Sequence, residues 1–209
     1  MTEKGKFITL EGSEGAGKTT NMLHIKTLCE SKGHRVICTR EPGGTEISEK
    51  IRELLLDKNN RNFYPDTELL LMFASRSQHL NELIIPALNR GDWVISDRFT
   101  DASFAYQGGG RGMSWDRINT LRDWVQGDLR PDLTLLFDLP VKIGMARAKK
   151  RGPSDRFEEE QLSFFDKVRQ GYYRVESEEK KRFKIIDANK TEQQVKKQVE
   201  DVVSNFILR

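Results

Sequence analysis

The stretch LEGSEGAGKTT, Leu10 to Thr20, decides the fold prediction. Within it, GSEGAGKT (12–19) matches the pattern GxxxxGK[ST], follows the strand-like run KFITLEG (6–12) and opens a helical pattern. Glycines in such a loop let backbone N–H groups point at phosphates, the lysine reaches the outer phosphates, and the threonine hydroxyl can bind Mg²⁺. The sequence therefore predicts a nucleoside triphosphate site formed by Gly12, Ser13, Glu14, Gly15, Ala16, Gly17, Lys18 and Thr19.

Glu14 is unusual in this loop because it places a carboxylate where anionic phosphates bind. Repulsion of a few kcal/mol at intermediate dielectric should turn its side chain away from the phosphates. Two interpretations are equally favoured by the loop alone: Glu14 contacts a hydroxyl of a second substrate, or it is a solvated loop residue.

The rest of the chain alternates short apolar runs with amphipathic helical stretches. The runs are 6–12, 34–40, 92–98, 132–140 and 182–188. Strands separated by helices predict an α/β fold with a five-stranded parallel sheet, helices on both faces, and ligands at the carboxyl ends of the strands. The charged residues at those ends are expected on one edge of the sheet: Glu11, Arg40, Asp97, Asp138 and Asp187.

Length and composition indicate one domain spanning 1–209. The chain is 36% hydrophobic and 32% charged, and its apolar runs are too short to cross a bilayer. With no secretory leader pattern, we expect a cytoplasmic protein without a membrane partner, and reduced Cys29 and Cys38. The net charge of +3 suits small anionic substrates as well as nucleic acid, so it does not discriminate between them.

Further candidates follow the third and second strands. In WVISDR, Asp97 is a candidate Mg²⁺ residue beside Thr19, and Arg98 offers a fork for a phosphate; a surface Asp-Arg pair is the simpler alternative. In TREPGGT (39–45), Gly43 and Gly44 allow a tight turn and Pro42 can hold an unusual or cis peptide after Glu41, although the stretch by itself reads as an ordinary strand-to-helix turn.

Two segments carry aromatic and polar residues that suit a base pocket. In TELLLMFASRSQHL (67–80), Phe73 and Arg76 share a helix face and can stack on a base and donate to its carbonyl, although a core Phe73 and a solvated Arg76 are the commoner arrangement. In DASFAYQGGGRGMS (101–114), Tyr106 and Gln107 precede three glycines, and a core tyrosine with a flexible loop explains them equally well.

The segment 149–160, KKRGPSDRFEEE, is a charged Gly/Pro interruption typical of a short mobile lid. Its basic residues and the helix before it supply charges that can stabilise a migrating phosphoryl group: Arg147, Lys149, Lys150, Arg151 and Arg156. A solvated helix end is the alternative. A nucleic-acid patch is disfavoured because aromatic residues are not interleaved, so no nucleic-acid partner is expected.

Together these segments resemble the bacterial thymidylate kinase family, and the match runs through nearly the whole chain: LEGSEGAGKTT, TREPGGT, ELLLMFASRSQHL, SDRFTDASFAYQGGGRG, GDLRPDLTLLFDLP and RGPSDRFE. The resemblance implies a P-loop NTPase fold with a lid, and a homodimer. It implies ATP- and Mg²⁺-dependent phosphorylation of dTMP to dTDP in dTTP biosynthesis, with Lys18, Arg98 and a lid arginine acting on the phosphates.

The resemblance also assigns the acceptor site. Glu14 matches the acidic residue near the 3′-hydroxyl of dTMP, Arg98 the arginine on its phosphate, and Tyr106 the tyrosine under the deoxyribose. Ser103 and Gln107 match residues near the base, Arg76 the arginine on the thymine carbonyl, and Phe73 the stacking aromatic. Many members place the aromatic four residues before the arginine, a position that is Met72 here, whereas Phe73 is three before Arg76, so either Met72 or Phe73 contacts the base.

Gly15 stands where some members carry a phosphate-loop arginine. Members without it use a lid arginine, and Arg151 matches that position. Two other functions remain open at this point: a kinase for a different nucleoside monophosphate, and a phosphate-loop switch protein with slow turnover.

Overall fold

The computed structural model describes residues 4–60, 62–150, 152 and 154–208. Five strands form one parallel sheet in the order β2-β3-β1-β4-β5, which confirms the predicted fold class. The strands are β1 (Phe7–Glu11), β2 (Val36–Arg40), β3 (Trp93–Asp97), β4 (Leu133–Asp138) and β5 (Phe183–Asp187). Each lies within one of the predicted runs.

Helices connect successive strands, as parallel pairing requires. They are α1 (Lys18–Glu30), α2 (Glu46–Leu56), α3 (Pro65–His79), α4 (Ile85–Asn89), α5 (Thr100–Ser103), α6 (Trp115–Gln126), α7 (Val141–Lys149), α8 (Leu162–Glu178) and α9 (Glu192–Ile207). Two π-helical segments, Leu80–Ile84 and Phe104–Gly110, continue α3 and α5.

Local sequence explains where several helices begin. Pro65 occupies the first turn of α3, where its missing N–H has no partner to lose. Thr191 and Gln194 form a reciprocal capping box at the start of α9. Gly17 precedes α1 with φ 85°, a conformation that glycine adopts without steric cost, so the phosphate loop can turn directly into the helix.

Apolar clusters cover both faces of the sheet. On one face, α1 and α9 pack on alternate strand residues such as Leu10, Leu135 and Phe137. On the other, α3, α8 and segment Phe104–Gly110 bury a second cluster that includes Leu136. Strand residues therefore alternate between two cores, which is the arrangement expected of a sheet covered on both sides.

The carboxyl edge of the sheet carries the loops that form the site. Arg40 pairs in register with Asp97, and Asp97 with Leu10, so the ends of β2, β3 and β1 lie side by side. The Glu41–Pro42 peptide after β2 is cis, one of the geometries that the sequence allowed there. Asp138 at the end of β4 instead binds Arg169 of α8, at 2.7 and 2.8 Å.

Within the part of the chain that the structure describes, no helix is both long and apolar enough to cross a membrane.

Candidate active site

A cavity of about 640 Å³ opens at the carboxyl edge of the sheet. Residues 14–20 of the phosphate loop and α1 line one end of it. Side chains from β2, α2, α3 and the 97–107 stretch line the rest, together with Asp155, Phe157 and Glu158 of the predicted lid. One continuous cavity thus joins the phosphate loop to a second region with its own charged and aromatic walls.

Lys18 is buried in the phosphate loop. Its ammonium donates to the carbonyl oxygens of Gly12 and Ser13, each at 3.0 Å. Burial, with the nearby Arg98 guanidinium, lowers the pKa of Lys18, whereas Asp97 and Glu14 oppose that shift. A bound phosphate would supply the negative charge that this desolvated cation needs.

Gly15 has a steric reason to be glycine. Its φ is 69°, and a Cβ at this position would lie 2.1 Å from the carbonyl oxygen of Gly144 in α7. An arginine therefore cannot occupy position 15 without moving α7. This agrees with the expectation that any additional catalytic arginine comes from outside the loop.

Thr19 and Asp97, the two residues predicted to hold Mg²⁺, lie in contact. The Thr19 hydroxyl donates to Asp97 Oδ2 at 3.3 Å, and both side chains line the cavity at the start of α1. A hydroxyl and a carboxylate are hard oxygen ligands, so the pair fits Mg²⁺ that keeps several waters.

Arg98 lies at the centre of the site with φ 72°, the left-handed region that non-glycine residues seldom adopt. The Ser96 hydroxyl stabilises this turn by donating to the Arg98 carbonyl at 2.7 Å. Its guanidinium donates to Gly12 O at 2.9 Å, to the Tyr172 hydroxyl at 3.0 Å and to Glu14 Oε1. The turn therefore places the Arg98 side chain in the wall of the cavity.

The structure explains why a carboxylate is tolerated at position 14. Glu14 forms an ion pair with Arg98 and accepts a hydrogen bond from the Tyr106 hydroxyl at 3.1 Å. The Arg98 guanidinium also lies 4.8 Å from the centre of the Tyr106 ring. Glu14, Arg98 and Tyr106, three residues predicted from separate segments, thus form one cluster.

Arg76 is held by a buried chain of hydrogen bonds. Its Nε donates to Glu41 Oε2 at 2.7 Å, and Glu41 Oε1 contacts His79 Nδ1 at 3.0 Å. Nη2 donates to Phe99 O at 3.2 Å and Ser103 Oγ at 3.1 Å. Burial alone would raise the pKa of Glu41, but Arg76 and His79 outweigh burial and hold that pKa below its usual range. The chain orients Arg76 at the cavity wall.

The question of Met72 or Phe73 has a geometric answer. Phe73 is 2% exposed and packs in the apolar cluster between α3 and α8, with its ring 4.5 Å from the Arg76 guanidinium carbon. Met72 lines the cavity, whereas Phe73 does not. The side-chain direction on α3 therefore presents Met72, four positions before Arg76, to a ligand.

Other predicted residues occupy the same region or lie outside it. Ser103, Tyr106 and Gln107 all line the cavity. In the lid, Arg156 turns away: it is buried against α2 and α3, with Nε donating to Leu55 O at 2.8 Å and Nη2 to Glu68 Oε2 at 2.7 Å. Arg147 lines the cavity, and Arg151 lies outside the described residues.

Sequence reasoning missed several charged residues of the site. Arg52 of α2 lines the cavity and donates to Pro42 O at 2.8 Å; burial and the nearby Arg40 lower its pKa, as does Arg98. Guanidiniums crowded in this way indicate an anion site. In sequence, Arg52 looks like one of many surface charges on an amphipathic helix, so no local signal distinguishes it.

Glu11 is a further buried acid of this region, and its sequence context marks it only as the end of a strand. It accepts hydrogen bonds from Phe99 N and the Tyr172 hydroxyl, each at 2.8 Å. Burial, together with the neighbouring Asp101, raises the pKa of Glu11 to about 8. Tyr172 thus connects Glu11 to Arg98.

The fold and the site define a class of protein: a phosphate-loop enzyme of the phosphotransferase type, with a second substrate pocket beside the loop. The sequence model described as thymidylate kinase matches residues 10–199. The chain belongs to the thymidylate kinase family.

Individual relatives agree with this assignment. Thymidylate kinase of Pseudomonas syringae pv. tomato is 57% identical over 184 residues, which cover 88% of each chain. That of Ectopseudomonas mendocina is 51% identical over 203 residues, 97% of each chain. The crystal structure of thymidylate kinase from Ehrlichia chaffeensis superposes with a TM-score of 0.77 at 33% identity, covering 96% of this chain and 99% of that one.

Proposed function

We propose that the protein transfers the γ-phosphoryl group of ATP to dTMP, forming dTDP and ADP. The observation that carries the proposal is the single cavity that runs from the phosphate loop to the walls formed by Arg98, Arg76 and Gln107. A switch protein needs only the first half of such a cavity, whereas a phosphotransferase needs both halves. The family assignment supports dTMP as the acceptor.

The protein's contribution to the reaction is positioning and charge stabilisation. Lys18 and the loop N–H groups bind the ATP phosphates, and Arg98 binds the acceptor phosphate. A phosphate oxygen of dTMP attacks the γ-phosphorus of ATP in line. The bond between the γ-phosphorus and the dTMP oxygen forms as the bond between the γ-phosphorus and the ADP oxygen breaks, without a covalent enzyme intermediate. Arg98 faces both anions, so it limits their mutual repulsion as they approach.

Thr19 and Asp97 would hold Mg²⁺, supported by their 3.3 Å contact at the phosphate loop. The ion supplies positive charge to the β- and γ-phosphates when bound. The lid, about 149–160, supplies Arg151 as the further phosphoryl-stabilising residue, by resemblance to members with a glycine in the loop.

On the acceptor side, Arg98 and Tyr106 hold the Glu14 carboxylate in place, and Glu14 contacts the 3′-hydroxyl of the sugar. Tyr106 packs under the deoxyribose, Ser103 and Gln107 lie near the base, and Arg76 donates to a thymine carbonyl. Met72 takes the base contact that Phe73, buried in the core, does not reach.

The proposal extends to the whole protein: one domain, cytoplasmic and homodimeric. ATP and dTMP are polyanions that do not cross membranes unaided, which supports a cytoplasmic location for an enzyme that uses both. Leu70 of α3 and Trp124 of α6 are large apolar side chains left exposed on two helices that pack together, which supports a dimer.

Steady-state turnover with ATP and a panel of monophosphates tests the proposal. We expect dTMP to be preferred over dUMP, dCMP, dGMP and AMP by kcat/KM. Better use of another acceptor would assign the protein a different monophosphate substrate. ATP turnover independent of any acceptor would favour the switch protein instead.

A further inference from the structure

The carboxylate of Glu68 lies buried behind the wall of the cavity where the base is proposed to bind. Glu68 of α3 is 1% exposed, and its oxygens accept hydrogen bonds from Gln107 Nε2 at 2.9 Å, Arg156 Nη2 at 2.7 Å, and Arg111 Nε and Nη2 at 3.3 and 3.2 Å. Burial alone would raise the pKa of Glu68, but Arg111, the Gln107 amide and Arg156 hold it below its usual range. The group is therefore an ionised carboxylate at neutral pH.

An ionised carboxylate only accepts hydrogen bonds, so it determines which way the Gln107 amide points. The N–H₂ group must face Glu68, because the reverse orientation would set the carbonyl oxygen of Gln107 against a negative oxygen. Gln107 is 1% exposed and lines the cavity. No donor in the described part of the chain reaches its Oε1, so this carbonyl is available as an acceptor toward a ligand.

Arg76 presents the complementary group. Nε and Nη2 are engaged by Glu41, Phe99 and Ser103, whereas Nη1 is buried and has no hydrogen-bond partner among the described residues. Arg76 binds Ser103, one helical turn before Gln107, and both line the cavity. Arg76 and Gln107 thus line the same cavity, and each is held by a buried carboxylate, Glu41 for Arg76 and Glu68 for Gln107.

We propose that Glu68 is a positioning residue that holds the carbonyl of Gln107 toward the acceptor base, so that the site selects a base with an N–H beside a carbonyl. This rests on the proposed function and deepens it. Thymine matches with N3–H and O4. In 5-methylcytosine, an unprotonated N3 would face the Gln107 carbonyl and an amino group would face Arg76. One pair of acceptors and one pair of donors would then be buried without hydrogen bonds.

The test compares dTMP with 5-methyl-dCMP, which differ only at these two groups, in wild type and Glu68→Gln. A glutamine at 68 both donates and accepts, so it no longer holds the Gln107 amide in one orientation. We expect the ratio of kcat/KM for dTMP over 5-methyl-dCMP to fall about tenfold or more, mainly through a higher KM for dTMP. Asp66→Asn is the matched control, because Asp66 lies on the same helix in an exposed pair with Arg117, and it should leave the ratio unchanged.

A double-variant cycle separates positioning from a purely structural role. Because Glu68 acts through Gln107, adding Glu68→Gln to Gln107→Leu should leave the ratio where Gln107→Leu alone sets it. A further fall of similar size in the double variant would overturn the proposal. So would an equal loss of kcat/KM for both acceptors in Glu68→Gln.

A measurement on the wild-type protein keeps the proposal testable if Glu68→Gln does not fold. The side-chain amide protons of Gln107, assigned by their loss in Gln107→Leu, should exchange slowly with solvent in the ligand-free protein. Fast exchange at the rate of a solvated glutamine would contradict the orientation. This result is independent of turnover, whereas failure of the proposed function appears as no dTMP-dependent turnover by the wild type.

Discussion

At the scale of single residues, the Glu14 carboxylate is compensated rather than exposed to the phosphates. Its ion pair with Arg98 and its hydrogen bond from Tyr106 balance a charge that would otherwise repel ATP. The same contacts hold the Glu14 carboxylate against Arg98 and Tyr106 at the wall of the cavity. A carboxylate that looks unfavourable in the sequence is therefore compensated by residues from other segments of the chain.

Replacing Glu14 by alanine should impair acceptor use and spare ATP binding. The loss of its contact to the sugar and of its hold on Arg98 should raise the KM for dTMP about tenfold or more. Affinity for an ATP analogue, measured by calorimetry, should change by less than about threefold, because the loop N–H groups and Lys18 remain. Normal dTMP kinetics in this variant would return Glu14 to the role of a solvated loop residue.

Met72 and Phe73 should respond differently to truncation. Met72→Ala removes a side chain from the cavity wall, so we expect a higher KM for dTMP with the larger part of the stability retained. Phe73→Ala leaves a void in the core and should lower the free energy of unfolding by about 3–5 kcal/mol. Denaturant unfolding and steady-state kinetics of both variants check the contrast. A Phe73→Ala protein of normal stability with a raised KM would reverse the assignment.

At the scale of elements, described residues of the predicted lid contact α2, α3 and the connection between them. Arg156 joins it to Leu55 and Glu68, and Lys58 of the α2–α3 connection bonds Ser154 at 3.1 Å and Glu159 at 3.1 Å. Asp155 accepts from the backbone N–H groups of Phe157 and Glu158. These contacts anchor the segment beside the cavity.

Arg151→Ala should lower kcat by about 100-fold or more, with little change in the KM for dTMP. The expected cause is loss of a positive charge that acts on the transferring phosphoryl group only in the transition state. Single-turnover kinetics with saturating ATP and dTMP measure the chemical step directly. An unchanged rate would remove Arg151 from catalysis.

Arg156→Ala is the matched comparison within the same segment. Because Arg156 is buried against Glu68, its loss should lower the free energy of unfolding by about 2–4 kcal/mol, with Arg111 retaining part of the pairing. The rate of the chemical step in the folded fraction should fall much less than in Arg151→Ala. Of the two arginines in the motif RGPSDRFE, Arg151 is thus predicted to act in catalysis and Arg156 to stabilise the fold.

At the scale of the whole molecule, the ionisation of Glu11 in the central strand makes the free energy of unfolding depend on pH. Its pKa is about 8 in the folded protein against an ordinary value of 4.5. Between these values the folded protein holds a proton that the unfolded chain has released, so this group destabilises the fold progressively as pH rises from 4.5 toward 8.

Glu11→Gln should abolish that part of the pH dependence. The difference in free energy of unfolding between the variant and the wild type should shift in favour of the variant by roughly 3 kcal/mol between about pH 5 and pH 8. Urea unfolding of both proteins across this range measures the difference directly, since other titrating groups cancel. A difference that stays constant with pH would show that Glu11 is not protonated in the folded protein.

Much of the fold and part of the site could be predicted from local pattern. The five strands follow from apolar runs that are contiguous in sequence, whereas the turn residues allowed the cis peptide at Glu41–Pro42 without requiring it. Arg98, Arg76 and Tyr106, which their sequence motifs marked as candidate ligand-binding residues, all line the cavity. Arg52 and Glu68 could not be found this way, because their roles depend on partners from other elements. A charged residue on a helix also gives no sign in the local sequence that it will be buried.

The sequence by itself determined the parallel sheet, the phosphate loop and the family, because backbone geometry and phosphate binding depend on short runs of neighbouring residues. Only the tertiary structure decided that Met72 rather than Phe73 lines the cavity and that Glu14 pairs with Arg98. It also decided that Arg156 is buried against Glu68. These outcomes depend on which side chains meet across elements, and the energy of a charge or an aromatic ring is set by what surrounds it.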